Sequence, residues 1–264
     1  MSMSRARLKF KDTPVAVLER ILASGEVQDD EGNVLALHSN VKAEDGQRIA
    51  ACIERYGISR TLEVGCGYGV SSLYICDAIS KHSNAHHVII DPFQSTDWRG
   101  VGAMNLRQAG YSCWELIEQP SELALPTLLK NGLKVQFALI DGWHTFDQAL
   151  IDFFYTDRLL EQGGIVAFDD VGLAPITRVV RYVLNYPNYR LIDFTEKRLP
   201  TSRKRAALGA ILRRFASALP THIQEEYFSA SLLKPLEEIG LVDRCAFLQK
   251  SGRDTRNWDW YAHF

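Results

Sequence analysis

The chain has 264 residues, 46% hydrophobic and 23% charged, the make-up of an ordinary globular protein long enough for one large or two small domains. Lys and Arg number 30 against 32 Asp and Glu, a net charge of −2 that argues against an electrostatically driven nucleic-acid binder, and no apolar run approaches the roughly 20 residues that span a bilayer. The five cysteines, Cys52, Cys66, Cys76, Cys113 and Cys245, are odd in number and form no CxxC pair, which argues against a disulfide scaffold or zinc–thiolate site and points to the reducing cytoplasm.

Met1–Lys11 carries basic residues with no apolar core behind them, unlike a secretory signal. A first helix is predicted from Pro14 to Ser24: Pro14 suits a first turn, Val17, Leu18, Ile21 and Leu22 form a stripe, and Gly25 can end it. Residues Asp29 to Asn33 read as a turn between short strands, and a second helix follows over Ala43–Tyr56. From Arg60 the rhythm changes to strand and helix in alternation. Strands are predicted at 61–64, 87–91, 113–117, 135–140, 165–168 and 189–193, with helices at 70–79, 100–108, 121–130, 146–161 and 175–184 between them. Such units imply a parallel sheet covered on both faces, with right-handed crossovers. Further helices are expected at 203–217 and 223–239, then a last strand at 244–250. The organisation is one α/β domain: an N-terminal helical or lid extension (1–58), a core (59–195), and a C-terminal helical insertion with last strand and aromatic tail (196–264).

Ligands of open α/β sheets bind beyond the carboxyl ends of the strands. The first core strand ends there in Glu63-Val64-Gly65-Cys66-Gly67-Tyr68-Gly69. Three alternate glycines let backbone pass close beneath a ligand, and the helix from Val70 turns free N–H groups to the same space. A dinucleotide fingerprint would need glycine where Val70 stands, which disfavours a nicotinamide dehydrogenase. The E-x-G-x-G-x-G form resembles instead class I S-adenosylmethionine-dependent methyltransferases. That resemblance implies a Rossmann-like, doubly wound, mostly parallel seven-stranded sheet whose last strand is antiparallel. It also implies that Glu63, Gly65, Cys66, Gly67 and Gly69 form the cofactor loop. Asp91, followed by Pro92, would hold the ribose hydroxyls, and Gln119 and Ser121 stand at the adenine side. Tight-turn and helix-cap roles remain open for the loop and for Ser121.

Two further strands end in acids: Ile140 leads into Asp141-Gly142-Trp143-His144, and Phe168 into Asp169-Asp170. Three carboxylates at buried strand tips need compensation, and an all-oxygen set suits Mg²⁺. The pattern resembles metal-dependent small-molecule O-methyltransferases of catechol, caffeoyl-CoA and, more closely, sugar-modifying type. The resemblance implies that Asp141, Asp169 and Asp170 bind Mg²⁺, that Asp141 borders the cofactor, and that His144 is the general base. Asp169-Asp170 departs from the Asp-Asn of catechol-type enzymes and moves the expected acceptor toward a vicinal diol, sugar or polyol. Competing readings are a metal-independent N- or O-methyltransferase, a cephalosporin-hydroxylase-like enzyme and a non-catalytic S-adenosylmethionine-binding protein. The His38–Asn40 region is expected to form a lid. The basic residues from Lys197 to Arg214 suit an anionic substrate, a solvated face or a subunit contact. The aromatic end from Trp258 to Phe264 suits core packing, a homodimer contact or the acceptor pocket. The partner expected is a small-molecule acceptor, with no nucleic acid and no membrane.

Overall fold

A computed structural model describes residues 14–192, 211, 214–215, 218–220 and 244–261. The expected helix at 223–239, most of that at 203–217 and most of the basic stretch lie outside these residues. Helix α1 (Pro14–Ser24) leads into an antiparallel pair, β1 (Glu26–Gln28) and β2 (Val34–Ala36), and then into α2 (Ala43–Tyr56). The turn between β1 and β2 closes on Asp29, whose carboxylate accepts from the backbone N–H groups of Glu31 (3.1 Å) and Asn33 (2.8 Å).

The core then alternates as its hydrophobic rhythm requires: β3 (Arg60–Val64), α3 (Val70–Ile79), β4 (His86–Ile90), α4 (Val101–Gln108), β5 (Trp114–Ile117), α5 (Ser121–Lys130), β6 (Val135–Ile140), α6 (Phe146–Leu159), β7 (Leu160–Phe168), α7 (Ala174–Val183), β8 (Tyr189–Ile192) and β9 (Ala246–Lys250). Among the described residues these strands form one seven-stranded sheet in the order β5-β4-β3-β6-β7-β9-β8. The pairs from β5 to β7 are parallel, and β9 runs antiparallel between β7 and β8. The expected architecture is therefore present, antiparallel last strand included.

Alternate side chains of each strand serve opposite cores. Leu62, Val64, Val88, Ala138, Ile140, Val166 and Phe168 pack against Leu125, Phe153 and Val180 of α5, α6 and α7. Phe137, Leu139, Ile165, Ala167 and Phe247 pack on the other face against Ile49, Ile53, Ile75 and Ile79 of α2 and α3. Helices α2 and α3 touch at a point that admits no side chain: a Cβ on Gly46 would fall 2.2 Å from the ring of Tyr74.

Strand β7 starts five residues earlier than the predicted 165. Leu160 pairs with Val135, Ile165 with Phe137, and the extra length is absorbed in a bulge that contains Gly163 at φ +87°. At the C-terminal end Trp260 packs against Tyr186 and Tyr182, while Trp258 stands almost wholly exposed. Core packing is thus the fate of Trp260, while Trp258 and Tyr261 stand exposed. Among the described residues no helix is long and apolar enough to cross a membrane.

The connectivity positions the site. After β3 the chain winds outward through β4 and β5, then returns to the far side of β3 to lay down β6 and β7. Strand order reverses between β3 and β6, and a crevice opens beyond their carboxyl ends.

Candidate active site

The last rung of each parallel pair fixes a residue at that crevice. The N–H groups of Gly65, Asp91, Asp141 and Asp169 donate to the carbonyls of Ile90 (2.9 Å), Ile117 (3.2 Å), Val64 (2.9 Å) and Ile140 (3.1 Å). Each residue is the first beyond its strand, so its side chain or open backbone faces outward at the rim. The rim surrounds a cavity of about 1010 Å³, at the upper end of the usual size of small-molecule sites.

The glycine loop makes its floor. Gly65, Cys66 and Gly67 line it, with Pro92, Ser121, Asp91, Asp141, His144, Asp169 and Asp170 around them. Ser39, Asn40 and Val41 border it from the N-terminal region, where a lid was expected, and His38 Nε2 lies 3.0 Å from the Tyr68 hydroxyl. Glu63, Gly69 and Gln119 do not line it. Glu63 lies fully buried beneath the loop, where one carboxylate oxygen accepts from Ser72 Oγ and stands 3.1 Å from His87 Nε2. His87 in turn meets Thr61 Oγ1 at 2.8 Å. This chain of polar groups ties β3, β4 and α3 together under the loop, so Glu63 shapes the floor from below. Gly69 sits at the start of α3, and Gln119 is exposed in the turn before α5.

Asp91 lines the cavity, yet its carboxylate already serves the loop. One oxygen accepts from the N–H groups of Cys66 (3.0 Å) and Gly67 (2.9 Å) and from Gln94 Nε2 (3.1 Å), and the other accepts from Phe93 N–H (2.9 Å). Gln94 also donates to the Gly67 carbonyl at 2.7 Å. Three donors share one oxygen, and the oxygen facing Phe93, with two acceptor positions and one donor, keeps one open. Sequence reading missed Gln94 and Gln148. The latter donates to Ser121 Oγ at 2.9 Å and borders the cavity from α6. Ser121 is the first residue of α5 rather than its cap, since the capping position is Pro120.

The opposite wall is acidic. His144 Nε2 is 3.6 Å from Asp141 Oδ1 and 3.6 Å from Asp170 Oδ2, and Arg244 Nη2 is 3.2 Å from Asp170 Oδ1. Trp143, 63% exposed, stands at the mouth beside His144. Burial, then the charges of Asp141 and Asp170, push the Asp169 carboxyl up to about 8. Burial likewise pushes Asp141 up to about 6, against the opposing pull of His144. The neighbouring Asp141 carboxylate, with Asp170 and Asp169 behind it, raises His144 despite its partial burial.

The donor chemistry fits a hard divalent ion. Asp169 is 6% exposed, and its Oδ1 has no hydrogen-bond partner among the described residues, a deficit that a cation would relieve. The placement is incomplete: among the described residues no three acidic, histidine or cysteine side chains are grouped to hold one ion. Asp141 faces His144, and Asp170 faces Arg244.

Comparison with known proteins accords with this architecture. Residues 62–171, which run from the glycine loop through the acid pair, match the family described as a methyltransferase domain. Over those residues the chain is similar to a methyltransferase domain. Solved structures similar to this chain include cofactor-bound Rv0187 from MTB, with 19% identity and a TM-score of 0.54 over 71% of this chain and 84% of that one. The O-methyltransferase TomG from Streptomyces achromogenes, in complex with SAM, gives 17%, 0.54, 71% and 84%. The O-methyltransferase from Bacillus cereus, in complex with SAH, gives 15%, 0.55, 70% and 84%. These likenesses establish the fold. No curated protein matched the sequence.

Proposed function

We propose that this protein is a methyltransferase that moves the methyl group of S-adenosylmethionine to a hydroxyl oxygen of a small molecule, a vicinal diol, sugar or polyol. The observation that carries the reading is the placement of His144 between two carboxylates at the rim of the loop-floored cavity. O-methyltransferase neighbours in complex with SAM and SAH support both the donor and the oxygen acceptor. Five cysteines without disulfides support a cytoplasmic setting.

The sulfonium methyl is already an activated electrophile. The protein must hold an oxygen in line with it at about 3 Å and take away a proton. Loop amides and the start of α3 suit the amino-acid end of the donor. Ser121 and Gln148 suit its adenine end, and the free side of Asp91 its ribose. His144, when neutral, accepts the hydroxyl proton on its imidazole ring. Asp141 and Asp170 then stabilise the imidazolium, and their nearness to one ring fixes its orientation. Asp141, Asp169 and Asp170 are the residues that would hold Mg²⁺, which when bound supplies Lewis-acid activation of a hydroxyl and an anchor for its neighbour.

Calorimetry with S-adenosylhomocysteine and NAD, followed by methyl transfer from labelled donor to a panel of catechols, sugars and polyols with and without EDTA, tests the reading. Binding of NAD in preference to S-adenosylhomocysteine would overturn it. His144 provides a sharper check. The carboxylates beside it favour its charged form, so the base is freed only as pH climbs through a midpoint above the ordinary histidine value of about 6.5. Methyl-transfer rate should rise with pH through that midpoint. Asp141→Asn should move the midpoint down, because one of the charges holding the proton is gone. His144→Ala should lower kcat by about 10²–10⁴ while S-adenosylhomocysteine affinity stays within a factor of about three. A profile that is flat in the wild type would remove His144 as the base.

A further inference from the structure

The acid cluster already faces a cation of the protein's own. Arg244 is the residue at the turn into β9, and sequence reading placed it in a strand without a role. Its backbone carbonyl accepts from Val171 N–H at 2.7 Å, which stitches the start of β9 to the residue immediately after the acid pair. Its guanidinium lines the cavity, with the side chain 43% exposed, and meets Asp170 Oδ1 at 3.2 Å. Asp170 itself is held at φ +49°, a left-handed backbone uncommon outside glycine, and its other oxygen lies toward His144. Asp169 is buried and lines the same cavity, with one oxygen unpartnered among the described residues. The neighbouring acids thus differ: one is paired with a fixed cation, and the other is left short of one.

We propose that Arg244 is a built-in competitor for the third carboxylate of the acid cluster, so that a divalent cation reaches Asp141, Asp169 and Asp170 together only by displacing its guanidinium from Asp170. The inference rests on the reading of this wall as an oxygen-donor cation site. Arg244 keeps the cluster partly neutralised when no divalent ion is present, and it lowers the affinity for one in two ways. Its charge repels the ion, and its hold on Asp170 must be broken before the donor set closes. Because the pair is half exposed, the penalty is modest and the ion can still win. The guanidinium is released beside the site and lies free to face the acceptor.

Calorimetric titration of the full chain with Mn²⁺ alone, in the presence of saturating S-adenosylhomocysteine, reads the effect directly. Arg244→Gln should tighten Mn²⁺ binding about three- to tenfold, the range expected for loss of a half-exposed ion pair. Arg244→Lys keeps the charge and should stay close to the wild type, and it serves as a second comparison should the glutamine variant fold poorly. Asp170→Asn should weaken Mn²⁺ binding and erase the difference between Arg244 and its glutamine variant. Unchanged or weaker Mn²⁺ binding in Arg244→Gln overturns the proposal, as does absence of Mn²⁺ binding from wild type and variant alike. In either case retained S-adenosylhomocysteine binding leaves the methyl-transfer reading standing. Loss of that binding from the wild type itself would overturn the functional reading independently.

Discussion

Asp169→Asn is expected to abolish methyl transfer and, in the same protein, to raise its melting temperature at pH 8. The two effects have one cause. Burial, reinforced by the negative charges of Asp141 and Asp170, pushes the Asp169 carboxyl up to about 8. In the unfolded chain the same group titrates near 3.9. Between those values the folded protein holds a proton that the unfolded chain has released. Stability therefore falls as pH rises from about 4 to about 8, and the full penalty is present above the folded value. Asparagine has the same shape and no charge to bury, so it removes the penalty. The gap in melting temperature between variant and wild type should be near zero below pH 4, grow through neutrality, and level off above pH 8. A penalty of a few kcal/mol corresponds to roughly 5–10 °C for a chain of this length. Activity should fall by about a hundredfold or more, since the variant loses one of the oxygen donors on which the proposed site depends. Calorimetric scans from pH 4 to 9 in chelator, run beside initial rates at pH 8, check both halves. A gap that does not change with pH would mean that the Asp169 charge is not what the fold resists. Addition of Mn²⁺ should then favour the wild type alone, since only its carboxylate gains a partner.

The same physics explains what could be read from the sequence. Strands buried on both faces must be largely apolar, as residues 137–140 are, and the run of apolar residues breaks at the glycine or acid that follows the strand. The amides of Gly65, Asp91, Asp141 and Asp169 close the last rungs of the sheet, so the strand ends that hydrophobicity defines are also the places where the site is built. Fold and rim residues were legible together for that reason. Partnerships across the sheet were not legible. Nothing local in the sequence says that Glu63 turns down toward His87 and Ser72, or that Asp91 spends its carboxylate on the loop amides and Gln94. Arg244 meets Asp170 from 74 residues away, across a segment whose length carries no register information. Gln119 shows the opposite case. It stands near the end of a strand that leads to the rim, but it lies in the exposed turn ahead of Ser121, and only the latter reaches the cavity.

Gly65→Ala is expected to cost more than any other small substitution in the loop, and the reason lies in Asp141 rather than in a ligand. Gly65 adopts φ +91°, where a side chain is strained. A Cβ there would also fall 2.0 Å from the backbone oxygen of Asp141, 2.7 Å from its carbonyl carbon and 3.1 Å from Cα of Gly142. No flexible side chain stands in the way, so the clash can be relieved only by parting the ends of β3 and β6. That movement breaks the 2.9 Å bond from Asp141 N–H to the Val64 carbonyl, and it displaces the acidic wall from the cavity floor. Gly132→Ala separates strain from collision: Gly132 has φ +78°, and a Cβ added there would meet nothing within 4 Å. It should lose about 1–2 kcal/mol, or roughly 2–8 °C, and keep its affinity for S-adenosylhomocysteine. Gly65→Ala should lose at least about twice that stability and bind S-adenosylhomocysteine about a hundredfold more weakly, or fail to fold. Thermal melts and calorimetry on the two variants make the comparison. Equal losses in both would show that the left-handed backbone alone accounts for the glycine. A larger loss at Gly65 would locate the cause in the close approach of two strand ends, the contact that brings the glycine loop and an acidic wall to the same crevice.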